Sequence, residues 1–224
     1  MLATLDDEKR YQEYMRREDE EAVLFILLTN FKNDIKEGIV PKKFPDRALD
    51  SLGLFNDDLY LSRDLCTKRG MWAIVDMTWT KKLADYIAGR RCLEVMAGAG
   101  WLARALSDHG VDIVATDNAS WSDKHTEMRR IFPVKKMEAL EAIDKYGDRD
   151  ILIVSWPPLN MDILYFLKRW GEEKPIIYIG EGNGGCNTTD EFWNHFSEET
   201  TIYIPQWWGI HDQVFIGKCH DTIN

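Results

Sequence analysis

Cys92-Leu93-Glu94-Val95-Met96-Ala97-Gly98-Ala99-Gly100-Trp101-Leu102-Ala103 is the stretch on which the fold turns. Its first four residues form an apolar run interrupted by one carboxylate. Small residues and two glycines follow, and an apolar pattern at helical spacing starts at Trp101. The stretch therefore reads as strand, tight loop and helix. Glycine tolerates backbone angles that other residues resist and lets a ligand approach the main chain. Free N–H groups at the start of the helix favour polar or anionic ligand atoms.

Downstream, apolar runs at Val111–Thr116, Val134–Met137, Ile151–Val154 and Ile176–Ile179 alternate with helical stretches. Those stretches are Trp101–His109, Asp123–Ile131, Glu138–Tyr146 and Met161–Trp170. Near-continuous apolar strands between helices imply a parallel sheet covered on both faces. Asp190–Phe196 reads as a further helix, with Thr188 and Glu191 at capping-box spacing. The last two strand runs, Thr201–Pro205 and Val214–Cys219, are joined only by Gln206–Gln213. That gap is too short for a crossover helix, so the pair is expected to be antiparallel.

Upstream, Met71–Ala88 carries a helical pattern that ends at Gly89, and 39–70 reads as a connector with one short helix. Residues 1–38 read as helical, with Val23, Leu24, Leu27, Leu28, Phe31 and Ile35 at helical spacing and Gly38 and Pro41 beyond the end. The expected fold class is α/β: a doubly wound, mostly parallel seven-stranded sheet ending in an antiparallel hairpin. A helical extension and connector over 1–70 precede a sheet domain over 71–224.

At 224 residues and 45% hydrophobic content, the chain is large enough to bury a core. Its net charge of -10 disfavours a nucleic-acid substrate, because the general attraction to phosphate is missing. Cys66, Cys92, Cys186 and Cys219 show no CxxC spacing, and neither a disulfide framework nor a metal site follows from them. The N-terminus is charged at once and has no signal-peptide core. The apolar run Ala22–Leu28 is too short to span a bilayer, so a cytoplasmic chain without a membrane partner is expected.

Two cofactor classes compete for the glycine loop. Gly98-Ala99-Gly100-Trp101-Leu102-Ala103 fits the dinucleotide fingerprint, and Asp117 ends the second strand where a carboxylate can take both ribose hydroxyls, which suits an NAD-dependent oxidoreductase. The other pattern is an acidic residue followed by x-Gly-x-Gly-x-Gly. Glu94 supplies the acid, Gly98 and Gly100 two of the glycines, and Met96 stands in place of the first. Glu94 favours this second pattern, because a carboxylate in a buried strand needs a partner. The methionine ammonium of S-adenosylmethionine (SAM) would be one. Ala97, Asn118, Glu138, Ala139, Ser155, Trp156 and Pro157 complete the expected cofactor contacts.

After the fourth strand comes Ser155-Trp156-Pro157-Pro158-Leu159. It resembles the Asp/Asn/Ser-Pro-Pro-aromatic motif of amino-group methyltransferases, but Trp156 is inserted and Leu159 replaces the final aromatic. Ser155, Trp156 and Pro157 are pocket candidates. With the terminal hairpin, the segments Trp72-Ala73-Ile74, Leu93–Ala105, Gly110–Asp117, Ser155–Pro158, Ile179–Cys186 and Pro205–Asp212 resemble class I, Rossmann-like SAM-dependent methyltransferase-like proteins. The family is a poorly characterised one of microbes and some viruses, and the match covers Gly70–Cys219. It implies SAM as cofactor and N- or O-methyl transfer to a small molecule or a protein side chain. A catalytically inactive protein of the same fold, binding SAM or a protein partner, is the alternative. Glu181 in the loop Gly180–Asn187, His211 in Gln206–Asp212, and Ser155 are the candidate catalytic residues.

Overall fold

The computed structural model describes residues 5–45, 56–120, 129–159, 161 and 163–220. Helix α1 (Leu5–Glu37), α2 (Asn56–Lys68) and α3 (Met77–Ile87) precede the sheet. Then follow β1 (Cys92–Val95), α4 (Trp101–Asp108), β2 (Ile113–Asp117), β3 (Val134–Lys136), α5 (Ala139–Tyr146), β4 (Ile151–Ser155) and α6 (Leu164–Trp170). The chain finishes with β5 (Ile176–Gly180), α7 (Asp190–His195), β6 (Phe196–Tyr203) and β7 (Gln213–Cys219).

The seven strands lie in the order β3-β2-β1-β4-β5-β7-β6. Neighbours are parallel from β3 through β5, and β7 runs antiparallel to both β5 and β6. This is the class I methyltransferase plan, a parallel sheet closed by an antiparallel hairpin. Alternate side chains feed two cores. Cys92, Ile113, Ala115, Ile151, Ile153, Ile177 and Ile216 face one side. Leu93, Val95, Leu152, Val154, Ile176 and Tyr178 face the other. Burial on both faces explains why these strands read as unbroken apolar runs.

The N-terminal helix contributes to the first core. Leu24, Leu28, Phe31 and Ile35 are buried along one stripe of α1. Phe31 packs edge-on to Phe44 (centroids 4.9 Å apart), and Phe44 packs edge-on to Trp207 in the β6–β7 loop (5.3 Å). The expected helix at Asp123–Ile131 lies largely outside the described residues.

Two local expectations are corrected. Met71–Val75 is not helical: α3 starts at Met77 because Asp76 caps it, with Oδ1 accepting from the N–H groups of Thr78 (2.8 Å) and Trp79 (3.0 Å). The other oxygen of Asp76 accepts from Phe44 N–H, tying the connector to the cap. The capping box at Thr188 does not form either. Thr189 is the N-cap of α7 without a side-chain bond, and Thr188 has φ +49 and is buried.

Candidate active site

The strand order reverses direction between β1 and β4, and ligands in open α/β sheets bind outside the carboxyl ends of the strands at such a point. A cavity of about 510 Å3 opens there. The loops after β1, β2, β3 and β4 line it, together with the non-helical segment Gly70–Val75. Gly70 sits close on the glycine loop: a Cβ at Gly98 would lie 3.3 Å from its carbonyl oxygen.

The β1 loop follows the path that its glycines suggest. Gly98 and Gly100 have φ of +55 and +86, and Met96 takes +59. Met96 therefore adopts the left-handed conformation natural to the glycine it replaces, at a cost of about 1–2 kcal/mol, and its side chain lines the cavity. Gly100, expected to touch cofactor, does not line the cavity. A Cβ there would meet Phe132 Cβ at 2.7 Å and Val134 Cγ2 at 2.9 Å, so its role is to let α4 approach β3.

Glu94 lines the cavity and is 1% exposed. Burial, then the nearby Asp117 carboxylate, push its acid up to about 8, against a backbone hydrogen bond from Ala103. Its Oε2 has no hydrogen-bond partner among the described residues. An orphaned buried acceptor on a cavity wall is costly unless a ligand donates to it. Asp117 is held across the cavity floor. Its Oδ2 accepts from Gly98 N–H (2.9 Å) and its Oδ1 from Ala119 N–H (2.6 Å). Asn118 Nδ2 donates to Glu138 Oε2 (3.2 Å), so the β2 and β3 loops meet on the same wall. Ala97, Gly98 and Ala139 also line the cavity.

Ser155, at the end of β4, and Trp156 and Pro157, in the turn beyond it, also line the cavity. Trp156 has φ +53, an uncommon conformation for a bulky residue that clusters at ligand sites. Its indole Nε1 donates to Asp212 Oδ1 (2.9 Å), and its ring stacks on Trp72 (centroids 5.7 Å, 20° between planes). Asp212 is fully buried, and desolvation pushes its acid up to about 7 although Trp156 pulls it down.

Glu181 and His211 do not line the cavity. Glu181 is a clamp: its Oε2 accepts from Cys186 N–H (2.7 Å) and its Oε1 from His211 N–H (3.0 Å). Burial raises its acid, but the bonds from Cys186 and His211 outweigh burial and hold it below the usual range. The His211 side chain is 77% exposed, with Nδ1 3.6 Å from Glu181 Oε1. The two are thus brought to each other and not onto the cavity wall.

Sequence reading missed Asp212 as the holder of Trp156, because a His-Asp dipeptide directs attention to the histidine. It also missed Met137, Met161, Tyr165, Phe166 and Asn187 on the cavity wall. Met161, Tyr165 and Phe166 read as ordinary apolar positions at the start of a helix, which carry no signal that separates a wall from a core; Met137 directly follows β3, and Asn187 is a polar residue of the loop after β5. Among the described residues, no group of three or more His, Cys, Asp or Glu is placed to hold a metal.

No family model matches the chain, and no curated protein matches it by sequence. Several solved structures resemble it. One is the 1,6-didemethyltoxoflavin-N1-methyltransferase of Burkholderia thailandensis with 1,6-didemethyltoxoflavin and S-adenosylhomocysteine bound. It is 16% identical over 81% of this chain and 94% of that one, with TM-score 0.47. A second is the magnesium protoporphyrin IX methyltransferase of Synechocystis PCC 6803 with bound SAM, at 10% identity over 75% and 86%, with TM-score 0.47. A third is an RNA methyltransferase of Salinibacter ruber with S-adenosyl-L-homocysteine, at 14% identity over 66% and 92%, with TM-score 0.40. Likeness this distant does not transfer substrates or residue roles.

Proposed function

We propose that the protein is a SAM-dependent N- or O-methyltransferase. The carrying observation is Glu94: a buried carboxylate with one oxygen unpartnered, on the wall of a cavity at the sheet's switch point. A cationic ammonium on the ligand answers that oxygen. SAM carries such a group on its methionine part, and a ribose that suits Asp117. Asn118, Glu138, Met137 and Ala139 line the wall beyond Asp117, where an adenine ring would lie.

When bound, SAM would supply a methyl group already activated on a sulfonium. What remains for the chain is to place the acceptor and exclude water. Trp72, Trp156 and Pro157 wall the acceptor end, and the Ser155 hydroxyl stands at the end of β4 between the two halves. No strong base is required, since an acceptor proton can leave to solvent. Glu181 and His211 act in this reading as loop supports.

Calorimetric titration with SAM, S-adenosylhomocysteine and NAD tests the assignment. The reading expects SAM and S-adenosylhomocysteine to bind and Asp117→Ala to weaken binding by about a hundredfold or more; NAD binding alone would overturn it. Transfer of a radiolabelled methyl group from SAM to components of a lysate then separates an active enzyme from an inactive SAM-binding relative of the fold.

A further inference from the structure

The acceptor end of the cavity has a chemistry of its own. Two indoles, Trp72 and Trp156, stack nearly parallel on its wall. Both are held from behind by the β6–β7 loop. Asp212 takes the Trp156 indole N–H (2.9 Å), and the Trp207 indole N–H donates to the Trp72 carbonyl (3.3 Å). The Asp212 carbonyl in turn accepts from Gln206 Nε2 (3.0 Å), which fixes the loop itself. Rigid aromatic faces of this kind bind flat rings at small conformational cost.

The polar groups nearby are largely engaged. Asn187 Nδ2 donates to the Pro157 carbonyl, and its Oδ1 accepts from Glu181 N–H. Charge is one-sided as well. Among the described residues that line the cavity there is no Lys, Arg or His, and the ionisable carboxyl groups are those of Glu94, Asp117 and Glu138. An anionic acceptor would lose its hydration there and find no cationic side chain to replace it.

We infer that the acceptor is a small flat aromatic or heteroaromatic molecule without an anionic group, stacked on the Trp72–Trp156 platform that Asp212 orients. This rests on the methyltransferase reading. It narrows the acceptor to a free small molecule and sets aside nucleotides, phosphorylated substrates and acidic side chains.

The test uses two probes of similar size, quinoline and naphthalene-1-sulfonate, titrated into the full chain by ligand-detected NMR with and without S-adenosylhomocysteine. A calorimetric titration of S-adenosylhomocysteine runs in parallel. Quinoline is expected to bind saturably, and the sulfonate about tenfold or more weaker. Trp156→Ala and Trp72→Ala should each weaken quinoline by about three- to tenfold. Trp72 is partly exposed, so its variant carries the test if Trp156→Ala fails to fold by circular dichroism. Equal binding of the sulfonate, or quinoline binding unchanged in a folded variant, overturns the inference. If S-adenosylhomocysteine binds and quinoline does not, this inference falls alone. If quinoline binds and S-adenosylhomocysteine does not, the cofactor reading falls and the ring platform stands. If neither binds, both fall.

Discussion

Glu94 and Glu181 occupy similar addresses, one in β1 and one directly after β5, both near the carboxyl edge of the sheet. Their surroundings are opposite. Glu94 keeps one oxygen without a partner and faces the cavity, and its acid is pushed up to about 8. Glu181 spends both oxygens on backbone N–H groups of two loops and is held in its charged form. Position on the sheet edge is thus a poor guide to role; an unmet oxygen on a residue that also lines the cavity is a better one, and Asp212, whose Oδ2 is likewise unmet, does not line it. In the proposed function the β1–β2 edge receives the cofactor. The β5–β7 edge is built to hold the wall that shapes the acceptor end.

The largest expected break in this contrast is at the ribose position. Asp117→Ala should weaken S-adenosylhomocysteine by about a hundredfold or more by calorimetry, because each lost bond to a charged group is worth about 1.5–3 kcal/mol. Next comes Glu94→Gln, which keeps the shape and loses the charge. It should weaken the same ligand by about tenfold. Its stability moves the other way. A carboxylic acid whose pKa rises from 4.5 to about 8 on folding holds a proton that the unfolded chain releases, so stability falls as pH climbs through that window. Glu94→Gln should therefore melt higher than the parent at pH 9 and about equally at pH 4.

Glu181→Gln sharpens the contrast from the other side. It should lower the melting temperature, with a loss of about 1–3 kcal/mol as the two loops lose a charged acceptor. Its affinity for S-adenosylhomocysteine should stay within about twofold. The smallest effect is expected at Met96→Gly. Relief of left-handed strain is offset by the added freedom of glycine in the unfolded chain, leaving a net change of about 1 kcal/mol or less. A large loss there would mean that the Met96 side chain, rather than its backbone, shapes the loop.

Much of this edge was legible in the chain. Two buried faces make every parallel strand an apolar run, so β1, β2, β4 and β5 were readable, and glycines marked where β1 must turn. Glu94 stood out because a carboxylate inside such a run demands an explanation. The segment Met71–Val75 was misread because Trp72 and Val75 continue the helical spacing of Trp79, Leu83, Tyr86 and Ile87 backwards, and a non-helical segment can carry the same spacing. What decided the matter was Asp76, whose cap starts the helix at Met77, six residues later than the pattern suggested. The partnership of Trp156 with Asp212 spans 56 residues and depends on β7 lying beside β5, a placement that no local pattern encodes.

In the proposed function Glu94 waits as an acid for a cationic cofactor group. Titration of S-adenosylhomocysteine at pH 7, in two buffers of different ionisation enthalpy, measures it directly. Binding should ionise Glu94, so a proton is released to the buffer, the observed heat differs between buffers, and the difference shrinks in Glu94→Gln. Binding with no net proton release, or the same release in Glu94→Gln, would contradict the claim.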